Sequence, residues 1–417
     1  MLITEYRLEL AILALRRILP LEHPADTTLR YFFKEGSLGS NEREFVAETV
    51  FGVLRHRLLL EAACGDKISS RRLALGFLVR FGGYNLRELT PILQRDEKDW
   101  LATVKGFKSE LLSIQAELPE WIVEKLRPSH SDAEILTIGQ SMQQGAPLDI
   151  RVNTLLAKRD EVLAELARQQ ITATPMTYSP VGIRLKDKIP LNKDALFTTG
   201  KVEVQDEGSQ LLGLLLAPKR TDMVVDFCAG AGGKTLMLAA LMNSQGRLYA
   251  LDVSEKRLAN LKPRLKRSGA SNIQPTLIDN ENDLKVKRLA GKIDRVLVDA
   301  PCSGLGTLRR NPDLKFRQSP QSIAELTLKQ SNILNAAARL LKKGGRLVYA
   351  TCSILPEENQ HIVQAFLATH PEFVLRPASE VLAQQKVAME MDDYLVLRPH
   401  LHQTDGFFAA VLERVCT

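Results

Sequence analysis

The most informative stretch of the chain reads Val224-Val225-Asp226-Phe227-Cys228-Ala229-Gly230-Ala231-Gly232-Gly233-Lys234-Thr235. The apolar run at its start has the pattern of a buried β-strand, and the apolar residues from Leu236 to Met242 predict a helix after it. The small residues in between allow the backbone to approach a ligand closely, and the helix N-terminus offers free amide groups. The stretch therefore predicts a strand, a ligand-binding turn and a helix.

Two familiar nucleotide-binding loops can be tested against this turn by counting. A phosphate-binding P-loop needs Gly, then about four residues, then Gly-Lys followed by Ser or Thr. Counting back from Gly233-Lys234-Thr235 places Cys228 where the first Gly belongs. The dinucleotide fingerprint G-x-G-x-x-G, started at Gly230, needs a Gly where Thr235 stands. Because both patterns fail, the turn lacks a phosphate-binding signature.

From about Val204 onward, buried strands alternate with amphipathic helices. The predicted strands are Asp222 to Phe227, Arg247 to Leu251, Ile273 to Ile278, Asp294 to Val298 and Arg346 to Ala350. Such alternation predicts an α/β fold with a parallel sheet and helices on both of its faces.

Acidic residues end successive strands after the turn: Asp252 the second, Asp279 the third and Asp299 the fourth. In open α/β sheets ligands bind outside the carboxyl ends of the strands, where a carboxylate about 20 residues beyond the turn can bind both hydroxyls of a ribose. Each Asp alone is equally well explained as a helix cap. Three of them in register with the turn favour an adenosine ligand without a phosphate, and S-adenosylmethionine fits.

Cys302 and Cys352 also follow predicted strands, so both thiols are expected at the same edge of the sheet as the glycine turn. The usual alternative, a buried structural cysteine, suits Cys64 and Cys416 better. The cysteines are odd in number and far apart, and none forms a CxxC pair or a Cys/His cluster; they are Cys64, Cys228, Cys302, Cys352 and Cys416. This pattern argues against a disulfide framework and against a structural metal site.

A thiol beside a methyl donor suits one reaction in particular. Carbon 5 of cytosine is a poor nucleophile, but a thiolate that adds to carbon 6 makes carbon 5 enamine-like and able to attack a sulfonium methyl group. A free thiol has a pKa of about 8.5, so the site has to favour the thiolate. A carboxylate such as Asp299 can bind the amino group and the protonated ring nitrogen of the base, which offsets the charge that builds on the ring.

The rest of the chain divides into two further regions. Residues 1–130 carry apolar positions at helical spacing, for example Leu73 to Phe81, and predict an all-α bundle in which Ser40 and Asn41 cap one helix. Residues 131–203 predict a linker and a small α/β domain, because Asp149 to Leu155 alternates as a strand does and Asp160 to Gln169 is helical. The catalytic domain is expected at 204–417.

Composition leaves a polyanionic partner open without demanding one. The net charge is +7, 45% of the residues are hydrophobic and 25% are charged. The apolar runs are shorter than the roughly 18 residues that a membrane span needs, and the N-terminus reads as an amphipathic helix rather than a signal peptide. We therefore expect a cytoplasmic protein that contacts no membrane.

At several motifs the chain resembles the Sun/Fmu family of RNA cytosine-C5 methyltransferases, and over its length the RsmB branch of that family. The matching segments are Val204 to Gln210, Asp226 to Thr235, Asp299 to Gly306, Arg309 to Asp313, Tyr349 to Ser353 and Thr404 to Phe408. Phe51 to Arg55 resembles the NusB-like RNA-binding domain of the branch. The resemblance implies a NusB-like helical domain, a small α/β domain like an RNA-recognition motif and a Rossmann-like S-adenosylmethionine methyltransferase fold.

The resemblance also assigns roles to residues. It implies that Cys352 is the nucleophile and that Cys302 assists release of the product, whereas residue chemistry alone does not rank the two thiols. The implied cofactor-binding residues are Cys228, Ala229, Gly230, Ala231, Gly232, Gly233, Lys234, Asp252, Asp279 and Asp299. One departure is that Gly230-Ala231 stands where the family has Ala-Pro, which predicts a looser turn and weaker cofactor binding.

The expected partner is RNA, with 16S ribosomal RNA as the substrate. The enzyme is expected to be a monomer and to hold no metal. Four basic residues beyond Cys302 are predicted to contact phosphates: Arg309, Arg310, Lys315 and Arg317. A second basic group, from Lys256 to Arg267, is explained equally well as a solvated helix face. Two alternatives stay open: transfer RNA as substrate, or a non-catalytic RNA-binding or ribosome-assembly factor that uses the methylase fold as a scaffold.

Overall fold

The computed structural model describes residues 3–415 of the 417-residue chain, so Cys416 lies outside the described residues. The described chain divides into two compact units. One, which we call the helical unit, consists of the residues up to Gly145 and the segment Thr307–Pro320. The other, the sheet unit, consists of Ala146–Gly306 and the residues from Gln321 onward.

The helical unit confirms the all-α prediction for the N-terminal region. Its first helix begins after Thr4, whose side chain accepts a hydrogen bond from the backbone N–H of Arg7, and it buries Leu8, Ile12 and Leu15. The helix assigned to Ser40 and Asn41 begins at Ser40, so its N-cap is Gly39 instead. The helices are Glu5–Ile18, Ala25–Gly36, Ser40–Arg55, Arg57–Cys64, Ser70–Arg80, Leu86–Leu89, Glu97–Gly106, Leu112–Ala116, Glu120–Leu126, Asp132–Ser141 and Leu314–Arg317, with a 3-10 turn at Thr90–Ile92.

The predicted small α/β region forms a separate antiparallel sheet within the sheet unit. Its strands are β1 Leu148–Val152, β2 Ala173–Pro175, β3 Gly182–Leu185 and β4 Val202–Val204, in the order β2-β3-β1-β4. The helix Arg159–Arg168 buries Val162 and Leu166 with this sheet's core. The sequence pattern did not predict β4, which pairs with β1 and carries the chain into the larger sheet.

The larger sheet confirms every predicted parallel strand. Its strands are β5 Met223–Asp226, β6 Arg247–Asp252, β7 Ile273–Leu277, β8 Ile293–Asp299, β9 Leu341–Thr351, β10 Phe373–Arg376, β11 Leu395–Leu397 and β12 Phe407–Arg414. Strands β7-β6-β5-β8-β9 are parallel, whereas β12 pairs antiparallel with β9, β10 and β11. The sheet is therefore mixed, because antiparallel strands extend the predicted parallel part at one side.

Successive residues of the central strands face two different cores, which explains their continuous apolar runs. Val225, Val298 and Tyr349 belong to one core, while their neighbours Val224 and Leu297 belong to the other. Helices cover both faces: Glu207–Leu216, Gly233–Leu241, Glu255–Ser268, Leu284–Lys287, Pro320–Ala338, Gln360–Thr369, Ala378–Gln384 and Pro399–His402. Further 3-10 turns lie at Leu305–Thr307 and Pro356–Glu358. The helix Ala195–Thr198 and the 3-10 turn Leu191–Lys193 belong instead to the core of the small antiparallel sheet. Within residues 3–415, no helix is both long and apolar enough to cross a bilayer.

The order of the strands fixes where a ligand can bind. From β5 the chain proceeds through β6 and β7 on one side, and from β8 through β9 on the other. The point between β5 and β8 is thus a topological switch point, and in open α/β sheets the ligand crevice lies there, beyond the carboxyl ends of the strands.

Candidate active site

The side chains predicted to form the site follow adjacent parallel strands at their carboxyl ends. Asp279 follows β7, Asp252 ends β6, Cys228 follows β5, Asp299 ends β8 and Cys352 follows β9. Asp299 is paired in register with Ala350, which brings the segments after β8 and β9 side by side. The sheet thus brings the glycine turn and both cysteine segments to one edge.

The glycine turn has its shape because of Gly232. This residue has φ +82°, a left-handed conformation that glycine adopts without strain. A Cβ at this position would also lie 2.2 Å from Cδ1 of Leu261, so a larger residue would displace the helix packed behind the turn. The helix Gly233–Leu241 begins directly afterwards, with its N-terminus at the edge of the sheet.

Asp252 holds the turn from the neighbouring strand. Its Oδ2 accepts a hydrogen bond of 2.8 Å from the backbone N–H of Gly230, and its Oδ1 accepts one of 2.7 Å from the N–H of Ser254. Each carboxylate oxygen has two lone pairs, so the side chain can still accept hydrogen bonds from the hydroxyls of a ligand.

A buried network of charges supports the back of the turn. Arg264 donates to the carbonyl oxygen of Ala231 at 2.7 Å, and Arg151 donates to that of Gly233 at 3.1 Å. Glu203, 4% exposed, accepts from Arg264 at 2.8 Å and from Arg267 at 2.7 Å. Two carbonyl groups of the turn are thereby fixed by guanidinium groups.

Lys234 and Asp299 form an ion pair across the switch point, with 2.7 Å between Nζ and Oδ2. Burial alone would lower the pKa of Lys234, but the Asp299 carboxylate outweighs it and the pKa lies above its ordinary value. In the part of the chain that the structure describes, Oδ1 of Asp299 has no hydrogen-bond partner, so one oxygen of this carboxylate remains available to a substrate.

Asp226 lies beneath the turn as a second, fully buried carboxylate. Its Oδ2 accepts a hydrogen bond of 2.7 Å from the hydroxyl of Thr235, while its buried Oδ1 has no partner among the described residues. Burial, with a smaller contribution from the negative charge of Asp299, raises the pKa of Asp226 to about 7. Asp226 lies within the sequence motif of the turn, but the motif alone predicted no role for it.

These residues fit S-adenosylmethionine. Gly230 has φ +57°, and a Cβ at this position would meet no atom within 4 Å, so the turn faces open space on that side. Asp252 has acceptor capacity for ribose hydroxyls, and the partnerless Oδ1 of Asp226 offers an acceptor beneath the turn. Carboxylates with no phosphate-binding signature suit a cationic, phosphate-free ligand.

The two other predicted cofactor residues are placed differently. Asp279 is exposed in the loop after β7, where its backbone N–H donates to Asp283. The Cys228 thiol lies at the start of the turn, and its pKa is raised well above its ordinary value by burial and then by Asp299. Cys228 is therefore a neutral thiol that lines the turn.

The thiols of Cys302 and Cys352 are in direct contact, with 3.4 Å between the two Sγ atoms. The hydrogen bond to Cys352, together with burial, raises the pKa of Cys302 well above its ordinary value. Cys302 is thus a thiol that keeps its proton at neutral pH. The pair can accordingly supply one nucleophilic sulfur and one sulfur that carries a proton.

Two close backbone contacts fix the segments that carry these thiols. Gly306 donates its N–H to the carbonyl of Cys352 at 2.8 Å, and Gly406 donates to the carbonyl of Gly306 at 2.8 Å. A Cβ on Gly306 would lie 2.2 Å from the carbonyl oxygen of Gly406, so the approach depends on glycine.

The predicted RNA-binding residues beyond Cys302 belong to the helical unit, and one of them is not at the surface. Lys315 is 3% exposed, and its ammonium group donates to the carbonyls of Arg55 and Glu117 and to the carboxylate of Glu117. Burial lowers its pKa to about 8. The prediction that Lys315 contacts phosphates is therefore wrong, because its buried ammonium group binds Glu117 instead.

The other three residues of this group differ in their exposure. Arg309 is buried, and its carbonyl accepts a hydrogen bond from Arg55. Arg310 is half-buried. Arg317 keeps 27% of its side chain exposed and lies 3.7 Å from the carboxylate of Asp313. In the second basic group, Arg264 is committed to Glu203, while its neighbours Lys256, Arg257, Lys262 and Lys266 are exposed.

Sequence reasoning did not identify the buried carboxylates of Glu203 and Glu358. No motif in the sequence marks Glu203, which lies on the short strand β4. Glu358 lies six residues after Cys352 in the sequence, and the Cys-Ser-x-Leu pattern that begins at both Cys302 and Cys352 is a signal that could have identified it. Among residues 3–415, no group of His, Cys, Asp and Glu has the arrangement of a metal site.

Comparison with known families identifies two segments of the chain. Residues 213–413 match the family model described as 16S rRNA methyltransferase RsmB/F. Residues 118–192 match the model described as the ferredoxin-like domain of RsmF/B-like methyltransferases. This second match covers much of the antiparallel sheet β2-β3-β1-β4.

Individual relatives agree with these matches. A protein of Synechocystis sp. named probable ribosomal RNA small subunit methyltransferase B is 33% identical, and the alignment covers 97% of this chain and 99% of the relative. The solved structure of PH0851 is 27% identical, with a TM-score of 0.80 over 99% of this chain and all of that one. NSun6 from Pyrococcus horikoshii, solved with SFG, is 21% identical with a TM-score of 0.63 over 72% of this chain and 99% of that one, and shows the shared fold alone.

Proposed function

The chain belongs to the RsmB/F family of 16S rRNA methyltransferases, and on this premise we propose that it methylates carbon 5 of a cytosine in 16S ribosomal RNA. The methyl donor is S-adenosylmethionine, and the reaction proceeds through a covalent bond between Cys352 and carbon 6 of the base. The observation that carries this proposal is the contact of 3.4 Å between the sulfur atoms of Cys302 and Cys352. Two thiols in contact suit a reaction in which one sulfur adds to carbon 6 and the other assists its release.

The cofactor is assigned to the edge formed by β5, β6 and β8. Asp252 would bind the ribose hydroxyls, and the turn Cys228 to Lys234 would enclose the remainder, with Asp279 at the outer end. When bound, S-adenosylmethionine supplies an electrophilic methyl group. The turn's support by Arg151 and Arg264 offsets the loosening that Gly230-Ala231 would otherwise cause.

The chemistry assigns different work to the two thiols. The raised pKa of Cys302 keeps that thiol protonated, and we assign the addition to carbon 6 to the sulfur of Cys352. Carbon 5 then bonds to the methyl group as the carbon–sulfur bond of the sulfonium breaks, and afterwards loses its proton to a general base. Re-formation of the double bond between carbons 5 and 6 expels the sulfur of Cys352, and Cys302 assists this release.

Asp299 stabilises the ring during attack. Its free Oδ1 can accept hydrogen bonds from the amino group and the protonated ring nitrogen of cytosine, while its Oδ2 is held by Lys234. The fixed ion pair keeps the carboxylate oriented before the substrate arrives, which is how preorganised groups lower a barrier.

The RNA is expected to present the target base in a single-stranded loop or bulge, because a base inside a helix would have to be unstacked first. Arg310 and Arg317 are the residues of the helical unit that we assign to phosphate contacts. Phosphate contacts position an RNA without reading its sequence.

The test is to trap the covalent intermediate with RNA. Cys302→Ala should accumulate a protein–RNA adduct that survives denaturing electrophoresis, whereas Cys352→Ala should form none; the opposite result would exchange the two roles. Mapping of 5-methylcytidine across 16S rRNA and tRNA, with and without the gene, identifies the substrate. An unchanged 5-methylcytidine inventory in 16S rRNA would overturn the proposal.

A further inference from the structure

The two cysteine segments share a sequence pattern and a local structure. Both read Cys-Ser-x-Leu, as Cys302-Ser303-Gly304-Leu305 and as Cys352-Ser353-Ile354-Leu355. In each segment the serine hydroxyl accepts a hydrogen bond from the backbone N–H of the leucine two residues later, at 3.4 Å for Leu305 and 3.1 Å for Leu355. The chain therefore turns in the same way after both thiols, and each serine hydroxyl keeps its own proton to donate.

Both serines donate that proton to the same carboxylate, Glu358, which is fully buried. Its Oε2 accepts from the hydroxyl of Ser303 at 2.5 Å and from that of Ser353. Its Oε1 accepts from the backbone N–H of Ser303 at 2.8 Å and from the side-chain amide of Gln330 at 3.0 Å. One carboxylate thus joins the residues that directly follow the two thiols.

Glu358 is itself rigidly held. Its backbone carbonyl accepts a hydrogen bond of 2.7 Å from the hydroxyl of buried Tyr349, and its backbone N–H donates to Leu355 at 3.1 Å. Gln330, which contacts the carboxylate, also donates to the carbonyl of Pro301, the residue before Cys302. The support reaches Cys302 from both sides.

Glu358 is held by hydrogen bonds alone. In the described part of the chain it has no Lys, Arg or His within ion-pair distance. A buried carboxylate without a cation is costly unless its lone pairs are satisfied. Because the Glu358 carboxylate needs all of these donors, it couples the positions of the two serine segments.

We propose that Glu358 is a positioning residue that sets the separation of the Cys302 and Cys352 sulfur atoms. This inference rests on the proposed function for its catalytic consequence, since the nucleophile and the releasing thiol have to reach adjacent atoms of one pyrimidine ring. The separation itself is a property of the protein without substrate and can be measured without RNA.

The first experiment measures the separation with phenylarsine oxide. This reagent condenses with two neighbouring thiols to form two As–S bonds and releases one water, with no change of oxidation state. In the parent protein, mass spectrometry of the digested product should show one phenylarsenic group that bridges Cys302 and Cys352. In Glu358→Gln the rate of bridging should fall by about tenfold or more, because an amide nitrogen replaces an acceptor of two hydroxyl protons.

Two further variants separate positioning from general loss of stability. Asp149→Asn also changes a buried carboxylate of the sheet unit to an amide, at the ion pair with Arg184, and should bridge at the parent rate. Ser353→Ala removes a single donor and should slow bridging less than Glu358→Gln. Equal bridging rates in the parent and in both Glu358→Gln and Ser353→Ala would overturn the proposal, as would an equal slowing in Asp149→Asn.

The second experiment measures the catalytic consequence. Glu358→Gln should bind S-adenosylmethionine within about twofold of the parent by calorimetry, because its contacts do not include the glycine turn, while kcat falls by about tenfold or more. If the parent itself does not methylate RNA, the proposed function fails and the arsenical result still decides the role of Glu358. Unchanged kcat together with slowed bridging would overturn the catalytic part alone.

Discussion

Asp226 is the residue whose substitution tests the electrostatics of the site most directly. It is fully buried, one of its oxygens is without a partner among the described residues, and its pKa in the folded protein is about 7 against 3.8 for an ordinary Asp. In Asp226→Asn the side chain keeps its shape and can still accept the hydrogen bond from Thr235, but it never ionises. The variant therefore removes the penalty for a buried charge.

The sign and size of the effect follow from proton linkage. Because the folded pKa lies above the unfolded one, the folded chain binds the proton more tightly, so the stability linked to it is complete below about pH 4 and is lost as the pH rises towards about 7. With pKa values of 3.8 and about 7, the loss is about 1.7 kcal/mol at about pH 5 and about 4.3 kcal/mol at about pH 8. Relative to the parent, Asp226→Asn should gain about 2.6 kcal/mol between these two pH values.

Urea unfolding of both proteins without cofactor, at about pH 5 and about pH 8, measures this difference. The matched control is Asp160→Asn, which changes an exposed carboxylate of the same unit and should leave the difference from the parent independent of pH. An advantage of Asp226→Asn that is the same at both pH values would show that Asp226 ionises normally in the folded protein, and would refute the reasoning.

Three further predictions concern the supporting charges. Glu203→Gln should weaken S-adenosylmethionine binding by about tenfold in calorimetry, the equivalent of one charged hydrogen bond of about 1.5 kcal/mol, whereas the exposed Lys266→Gln on the adjacent helix should not change it. Lys315→Met should lower the free energy of unfolding by about 3–5 kcal/mol in urea titrations, because it leaves buried Glu117 without its cation. Arg317→Gln should reduce the dependence of RNA affinity on salt by about one counterion, and an equal reduction in Lys315→Met would contradict the burial of Lys315.

The parallel part of the large sheet could be predicted because its signal is local. Strands such as Arg247–Asp252 are continuous apolar runs bounded by polar turns, and Asp252 and Asp299 end theirs. The antiparallel strand β12 left no comparable signal of its direction, since its place beside β9 depends on pairing with residues far away in sequence. Strand β4, three residues long, is too short for any periodicity to show.

Residues whose environment is built from distant parts of the chain could not be assigned from the sequence. Lys315 lies in a basic segment, which is typical of phosphate binding, but the groups that accept its hydrogen bonds are carbonyls of Arg55 and Glu117. Glu117 was equally unremarkable, although its carboxylate also accepts the backbone N–H groups of Leu58 and Leu59 at the start of a helix. The sequence shows that a charged residue is present, but the folded structure determines whether its side chain is exposed to solvent.

Glu358 is an intermediate case, because the sequence contains a signal for it that is readable only once the strand order is known. Strands β8 and β9 are parallel neighbours, and Asp299 is in register with Ala350, so the Cys-Ser-x-Leu segments that follow them must run side by side. Two identical turns that emerge side by side place their serine hydroxyls close together, and buried hydroxyls need hydrogen-bond acceptors. A carboxylate soon after the second segment is the nearest candidate along the chain. The repeat therefore predicts a shared acidic partner, and the same contact that satisfies the serines brings the two sulfurs together.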